Sequence, residues 1–355
     1  MATAKIALDH YIYEDIYPAF KTATDEKEKT ARINRRFLNA LAMRKLVLTG
    51  SAPLMTADIG SGPCDTLIKY LTGVDFSGGF IIRATDFIPD YADSANGTAL
   101  HNLLTAQMSG TLKLAGFSVK AGNAFEGRLL DLLSRPTQIE PRHSFRLVFV
   151  SHLLYHAEAA SDVQGLITDI AQNLLASEGV AILYHLANTP RTFQDFRARF
   201  GSQSRGHSLS DTGAVTIDDP PAEIALACRR LGLPLHELEF TTYLHFGPLG
   251  NDEWTCFKAP LTYAVLADRN PQAYEDLKRL YFVVQRAPLE FASDPSVTGL
   301  SEFIDNIRPV IEEKRGVLPL AERMQVFCKA DVPARQCESI SDAMMAAGSA
   351  DQKYD

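Results

Sequence analysis

Residues 57–66, Ala57-Asp58-Ile59-Gly60-Ser61-Gly62-Pro63-Cys64-Asp65-Thr66, join a short apolar run to a stretch of helical period. Glycines at 60 and 62 let the backbone approach a ligand where a Cβ would clash. The helix expected next offers unsatisfied N–H groups at its start. The spacing is not the dinucleotide-binding GxGxxG, because position 65 is Asp, and no P-loop Lys-Ser/Thr follows. By itself a Gly-rich turn from strand to helix is a weak signal, so its neighbours decide its meaning.

From residue 54 to about 187, short apolar runs alternate with helical stretches. The runs are 54–59, 80–84, 117–121, 147–150 and 180–183, and helical periodicity fills 64–73, 90–112, 125–134 and 160–176. This alternation predicts a parallel sheet with helices on both faces. The second run ends Thr85-Asp86-Phe87, and a carboxylate at Asp86 suits the paired hydroxyls of a ribose. The third closes on Gly122-Asn123-Ala124-Phe125, small polar residues that suit a base edge. The fourth opens into Ser151-His152-Leu153-Leu154-Tyr155-His156. All lie at the carboxyl ends of strands, where open α/β sheets bind ligands.

The rest of the chain is less regular. Residues 5–47 read as helical, with an apolar stripe through Ile33, Phe37, Leu38 and Leu41 and an aromatic opening that holds Tyr11, Tyr13, Tyr17 and Phe20. Residues 201–222 read as a loop, 236–246 and 324–330 as strands, and the polar end beyond Pro333 as a fraying tail. The expected division is an N-terminal helical lid over 1–50, a core over 51–246, a helical insertion over 247–322, a last core strand over 323–331 and a flexible tail over 332–355.

Length and composition set the limits. At about 150 residues per domain, 355 residues allow two or three domains, or one with insertions. Hydrophobic residues at 46% and charged residues at 22% exclude a wholly disordered or low-complexity chain. A net charge of −8 argues against nucleic acid or an anionic membrane as the main partner. No run of 18 apolar residues occurs, and the N-terminus has no continuous apolar core, so a soluble cytoplasmic protein is expected. Cys64, Cys228, Cys256, Cys328 and Cys337 form no CxxC or Cys/His cluster. They read as small buried hydrophobes in a reducing compartment, with neither a metal site nor a disulfide framework.

With these motifs in place, the chain resembles the class I S-adenosylmethionine-dependent methyltransferases over residues 52–190. Asp58-Ile59-Gly60-Ser61-Gly62-Pro63-Cys64-Asp65 looks like their first motif, Asp86 like their ribose acid, Gly122–Phe125 like their adenine loop and 148–158 like their fourth-strand motif. The resemblance implies an α/β, Rossmann-like fold: a seven-stranded, mostly parallel sheet in the order 3-2-1-4-5-7-6, with helices on both faces. It also implies S-adenosyl-L-methionine as cofactor, bound by Asp58, Gly60, Ser61, Gly62, Asp86, Phe87, Asn123, Ala124, Ser151 and His152. Asp58 has two readings, a cap on the turn or a carboxylate near the methionine ammonium.

A nearer resemblance is to histamine N-methyltransferase and its small-molecule relatives. It rests on the aromatic N-terminal segment followed by Arg35–Asn39, on the layout of 174–201, and on a C-terminal strand ending in Lys329-Ala330. It implies Tyr11, Tyr13 and Phe20 as an aromatic lid, Glu26 as a substrate acid and His152 as a polar substrate contact. Tyr11, Glu26 and His152 are thus the catalytic candidates. The sequence departs from that family at Ala321 and Glu322, where the family places an amide side chain. The expected partner is a small-molecule acceptor, an amine or nitrogen heterocycle, with the chain a monomer or a homodimer. Because of the departure at 321–322, a second reaction stays open: cyclisation of S-adenosylmethionine itself to azetidine-2-carboxylate and methylthioadenosine.

Overall fold

Leu54, Ala57 and Ile59 are buried, and β1 (Leu54–Ile59) lies inside a sheet with a strand on either side. In the computed structural model the described residues are 16–92, 97–134, 140–154, 157, 159–187, 220–258, 268–284 and 298–350. The other strands are β2 (Phe80–Asp86), β3 (Leu114–Ala121), β4 (Phe145–Ser151), β5 (Leu175–Leu186), β6 (Leu235–His245) and β7 (Val317–Cys328). They form one seven-stranded sheet in the order β3-β2-β1-β4-β5-β7-β6, the order that the resemblance implies.

β1 pairs in parallel with β2 and β4, β2 with β3, and β4 with β5. Near-continuous burial along β1, β2 and β4 is what a parallel strand covered on both faces requires. β6 and β7 run antiparallel: Cys328 N–H donates to the Pro234 carbonyl at one end, and Phe246 N–H to the Gly316 carbonyl at the other. Among the described residues the α-helices of five or more residues are α1 (Tyr17–Ala23), α2 (Glu26–Met43), α3 (Asp65–Leu71), α4 (Thr98–Met108), α5 (Leu129–Leu133), α6 (Ala160–Asp169), α7 (Pro220–Leu231), α8 (Asn251–Phe257), α9 (Pro271–Val284), α10 (Thr298–Glu313) and α11 (Ala334–Ser349).

The chain divides into two compact units. One comprises Met1–Glu26, Leu186–Asp218 and Thr241–Glu322; the other, which carries most of the sheet, comprises Lys27–His185, Asp219–Phe240 and Arg323–Asp355. In the sheet-bearing unit, Ile33, Phe37, Leu38 and Leu41 of α2 pack into one core with Phe80, Ile82, Leu147, Phe149 and Tyr184. The other unit has its own core, in which Phe20, Trp254, Phe257, Leu277, Leu280, Phe303 and Ile307 meet. Phe20 and Phe282 stack there at 4.3 Å between ring centroids.

Three boundaries differ from those read in the sequence. The expected lid over 1–50 ends at Glu26, because the apolar stripe of α2 belongs to the sheet-bearing core. The last strand begins at Val317 rather than near 323, alternating part-exposed and buried residues through Glu322. Pro319 obscured it, since proline is poorly tolerated inside a strand. The expected flexible tail contains α11, whose Ile340, Ala343, Met344 and Ala347 are buried. Among the described residues, no helix is long and apolar enough to cross a membrane.

Candidate functional site

The turn after β1 is held by the strands beside it. Gly60 (φ +72°), Gly62 (φ +51°) and Cys64 (φ +59°) take left-handed backbone, which glycine adopts readily and which costs cysteine about 1–2 kcal/mol. The N–H groups of Gly60 and Ser61 donate to the Thr85 carbonyl of β2 at 2.9 and 3.0 Å. A Cβ on Gly60 would stand 2.9 Å from Leu153 Cδ1, whereas one on Gly62 would meet nothing within 4 Å. Gly60 therefore serves packing, and Gly62 faces open space.

Asp86 ends β2 with a buried carboxylate. Its Oδ2 accepts the Gly62 N–H at 2.7 Å and its Oδ1 the Ile88 N–H at 2.9 Å. Burial pushes its pKa up, and the backbone donors Ile88, Gly62 and Phe87 oppose the rise. Two carboxylate oxygens offer about four acceptor positions, so capacity for a further donor is left. The Phe87 ring is exposed. The loop after β3 is tied to the same place by Gly122 N–H, which donates to the Asp86 carbonyl at 2.9 Å. There Asn123 Oδ1 accepts the Phe125 N–H at 3.0 Å, and Ala124 is buried.

Asp58 is the anomaly of the group. It is 4% exposed at the end of β1, and among the described residues no hydrogen bond reaches its side chain. Burial first, then the charges of Asp86 and Asp65, push its pKa up to about 8. It does not cap the turn, whose N–H groups go to Thr85, Asp86 and Ser61. Asp65 has its own cation, Lys27, at 3.3 Å. Asp58 has none among the described residues, and a buried carboxylate without a counter-charge is the kind of group a cationic ligand completes.

At the end of β4 the Ser151 hydroxyl donates to Tyr70 Oη at 3.4 Å. His152 follows in left-handed backbone (φ +54°), its N–H donating to the Tyr184 carbonyl of β5 at 2.8 Å. That conformation costs a histidine about 1 kcal/mol or more, and it turns the chain out of the sheet at the site edge. Tyr184 itself is a core residue: its hydroxyl donates to Asn34 Oδ1 at 3.1 Å, and its ring lies 5.2 Å from that of Tyr70. His185 is fully buried. Burial first, then His152 and Arg323, lower its pKa to about 3, so it is neutral at physiological pH.

The sheet-bearing unit thus collects Asp58, Gly60, Ser61, Gly62, Asp86, Phe87, Asn123, Ala124, Ser151 and His152 at the carboxyl ends of the adjacent strands β3, β2, β1 and β4. Tyr11, Tyr13, Tyr155 and His156 lie outside the described residues. Glu26 belongs to the other unit, where Asp25 N–H and the Tyr243 carbonyl pair at 3.1 Å and fix the start of α2. There its carboxylate comes within 4.8 Å of that of Glu322 on β7. Burial first, then Glu26, raises the Glu322 pKa well above the usual carboxylate range; a Thr242 hydroxyl at 3.4 Å opposes this. The sequence marked Glu322 only as a departure from a family pattern, since residues 296 positions apart along the chain carry no local sign of pairing.

No protein-family model matches the chain, and no curated protein matches it. Similar solved structures include the YcgJ protein of Bacillus subtilis, at 14% identity over 82% of this chain and 98% of that one, with a TM-score of 0.41. Another is a Haemonchus contortus phosphoethanolamine N-methyltransferase 2 in complex with phosphomonomethylethanolamine and S-adenosylhomocysteine. It is 12% identical over 82% of this chain and 52% of its own, with a TM-score of 0.36. A third is a SAM-dependent methyltransferase from Methanosarcina mazei, at 12% identity over 55% of this chain and 85% of that one, TM-score 0.37. Similarity this loose fixes neither substrate nor cofactor. The functional reading rests on this chain's own residues.

Proposed function

We propose that this chain is an S-adenosylmethionine-dependent methyltransferase for a small-molecule acceptor, an amine or a nitrogen heterocycle. One observation carries the reading: four adjacent strand ends gather a ribose-type acid, Asp86, an open Gly62, and a buried Asp58 that no cation balances among the described residues. S-adenosylmethionine is a nucleoside with a ribose diol and a cationic amino-acid part, so it presents the groups these residues lack. When bound, it supplies a methyl group with its leaving group already attached.

The chain then has three tasks: to bind, to align and to take a proton. Asp86 accepts from the ribose with the acceptor capacity that its backbone donors leave. Asn123 and Ala124 are assigned to the base, and Ser61, Phe87 and Ser151 complete the set at the strand ends. Asp58 balances the ammonium. His152 takes the proton of the attacking nitrogen. Glu26 is assigned as a substrate acid on the histamine N-methyltransferase likeness. Tyr11 is assigned to a lid that excludes water, on the histamine N-methyltransferase likeness alone; the same likeness favours an amine acceptor.

The test uses methyl-labelled S-adenosylmethionine and a small-metabolite fraction. Labelled small product and S-adenosylhomocysteine, both dependent on the fraction, are expected. Labelling of macromolecules only would overturn the acceptor class.

Asp58 also favours a second reading, cyclisation of S-adenosylmethionine to azetidine-2-carboxylate. A carboxyl near 8 in a buried site can share the proton of an ammonium and leave a neutral, nucleophilic amine. Methylthioadenosine formed from S-adenosylmethionine alone, above the spontaneous rate, would establish this reading in place of methyl transfer.

A further inference from the structure

Cys328 closes β7, and Cys337 sits in the first turn of α11. Their sulfurs lie 3.8 Å apart. Neither residue belongs to the candidate site. The chain between them folds back tightly: Val332 N–H donates to the Lys329 carbonyl at 3.2 Å, and Cys337 N–H to the Pro333 carbonyl at 3.2 Å. A disulfide needs an S–S separation of about 2.0 Å, so closing the pair asks for side-chain rotation and little backbone movement. Burial alone made the five thiols look inert in the sequence; two distant positions in contact are a different matter.

The two thiols differ in access. Cys328 is buried, whereas Cys337 is partly exposed and its thiol donates to the Val332 carbonyl at 3.9 Å. Burial first, then the neighbouring Cys337, pushes the Cys328 thiol up, with Asp331 and Cys228 adding to the rise. An oxidant from solution therefore meets Cys337 first, and Cys328 is placed behind it as the resolving thiol.

We propose that Cys328 and Cys337 form a redox modification site, oxidised to an intramolecular disulfide by a small-molecule disulfide. The Cys337 thiolate attacks one sulfur of the oxidant and expels the first thiolate. Cys328 loses its proton and attacks the Cys337 sulfur, which breaks the mixed disulfide and expels the second thiolate. The protein loses two protons and two electrons, and the oxidant takes both and leaves as two thiols.

The bond would tie α11 to the strand it follows. α11 buries Ile340, Ala343, Met344 and Ala347 in the sheet-bearing core, and a Cβ on its Gly348 would collide with Leu238 of β6. A covalent link at its first turn restricts the unfolded chain more than the folded one, so oxidation raises the melting temperature of this unit.

The experiment treats the full chain with oxidised glutathione, then maps disulfide-linked peptides without reduction. The expected result is a peptide pair joining Cys328 to Cys337, a fall in free thiols from five to three, and no retained glutathione. The melting temperature should rise by a few degrees and return on reduction with dithiothreitol. Cys328→Ser should instead retain one glutathione on Cys337. A stable adduct on Cys337 of the unmutated chain, a bridge to Cys228, or five unchanged thiols would each overturn the proposal.

Discussion

Asp58 carries a proton in the folded chain near neutral pH, because burial first, then Asp86 and Asp65, push its pKa from 3.8 up to about 8. Between those values the native state binds more protons than the unfolded one, so stability falls as pH rises and the full cost is felt above pH 8. Asp58→Asn removes the titrating group. Its melting temperature should therefore decline less from pH 5 to pH 8 than that of the unmutated chain, and parallel declines would show that Asp58 does not titrate in that window. The same linkage reaches the ligand. A cation beside Asp58 favours the carboxylate, so binding of S-adenosylhomocysteine should release a proton near neutrality and tighten as pH rises towards 8. Calorimetry in buffers of different ionisation enthalpy reads this proton directly. His185 acts with the opposite sign: lowered from 6.5 to about 3, it favours the fold above pH 6.5 and withdraws that support as pH falls towards 3. Gly60 is a steric case. Gly60→Ala combines φ +72° with a 2.9 Å approach to Leu153, and thermal unfolding should show a loss of about 1–3 kcal/mol.

At the scale of elements, the four strands that carry the site were legible because they are short, apolar and closed by glycine, acid or small polar residues. Their ends fell within a few residues of those expected. α11 was not legible, for a physical reason: its buried positions Ile340, Ala343, Met344 and Ala347 keep helical spacing, but two are alanines and the rest of the segment is polar. A weak stripe of that kind acquires meaning only against the core it meets. Removing residues 334–355 should therefore cost a few kcal/mol of stability, as burial of about four apolar side chains suggests. Denaturant unfolding of the truncated chain checks this, and an unchanged midpoint would mean that α11 contributes nothing to the fold. Gly122 shows the same limit on reading sequence. It reads as part of a ligand loop, and a Cβ there would also meet Leu132 of α5, whose side chain would have to move.

On the scale of the whole molecule, the strand order β3-β2-β1-β4-β5-β7-β6 puts all ten cofactor candidates in one unit, around the carboxyl ends of four neighbouring strands. The strand order matches the one that the methyltransferase resemblance implies; the pairing of Glu26 with Glu322 was not legible, because it depends on the return of the chain through β7. The central claim is that these strand ends bind S-adenosylmethionine with Asp86 on its ribose. Calorimetric titration of the full chain with S-adenosylhomocysteine, with NAD as control, tests it most directly, using Asp86→Asn because it keeps an acceptor for Gly62. The unmutated chain should bind S-adenosylhomocysteine and not NAD, and Asp86→Asn should weaken binding by about ten- to a hundredfold, the worth of charged hydrogen bonds to a diol. Binding of NAD alone, or an affinity for S-adenosylhomocysteine that Asp86→Asn leaves unchanged, would contradict the account.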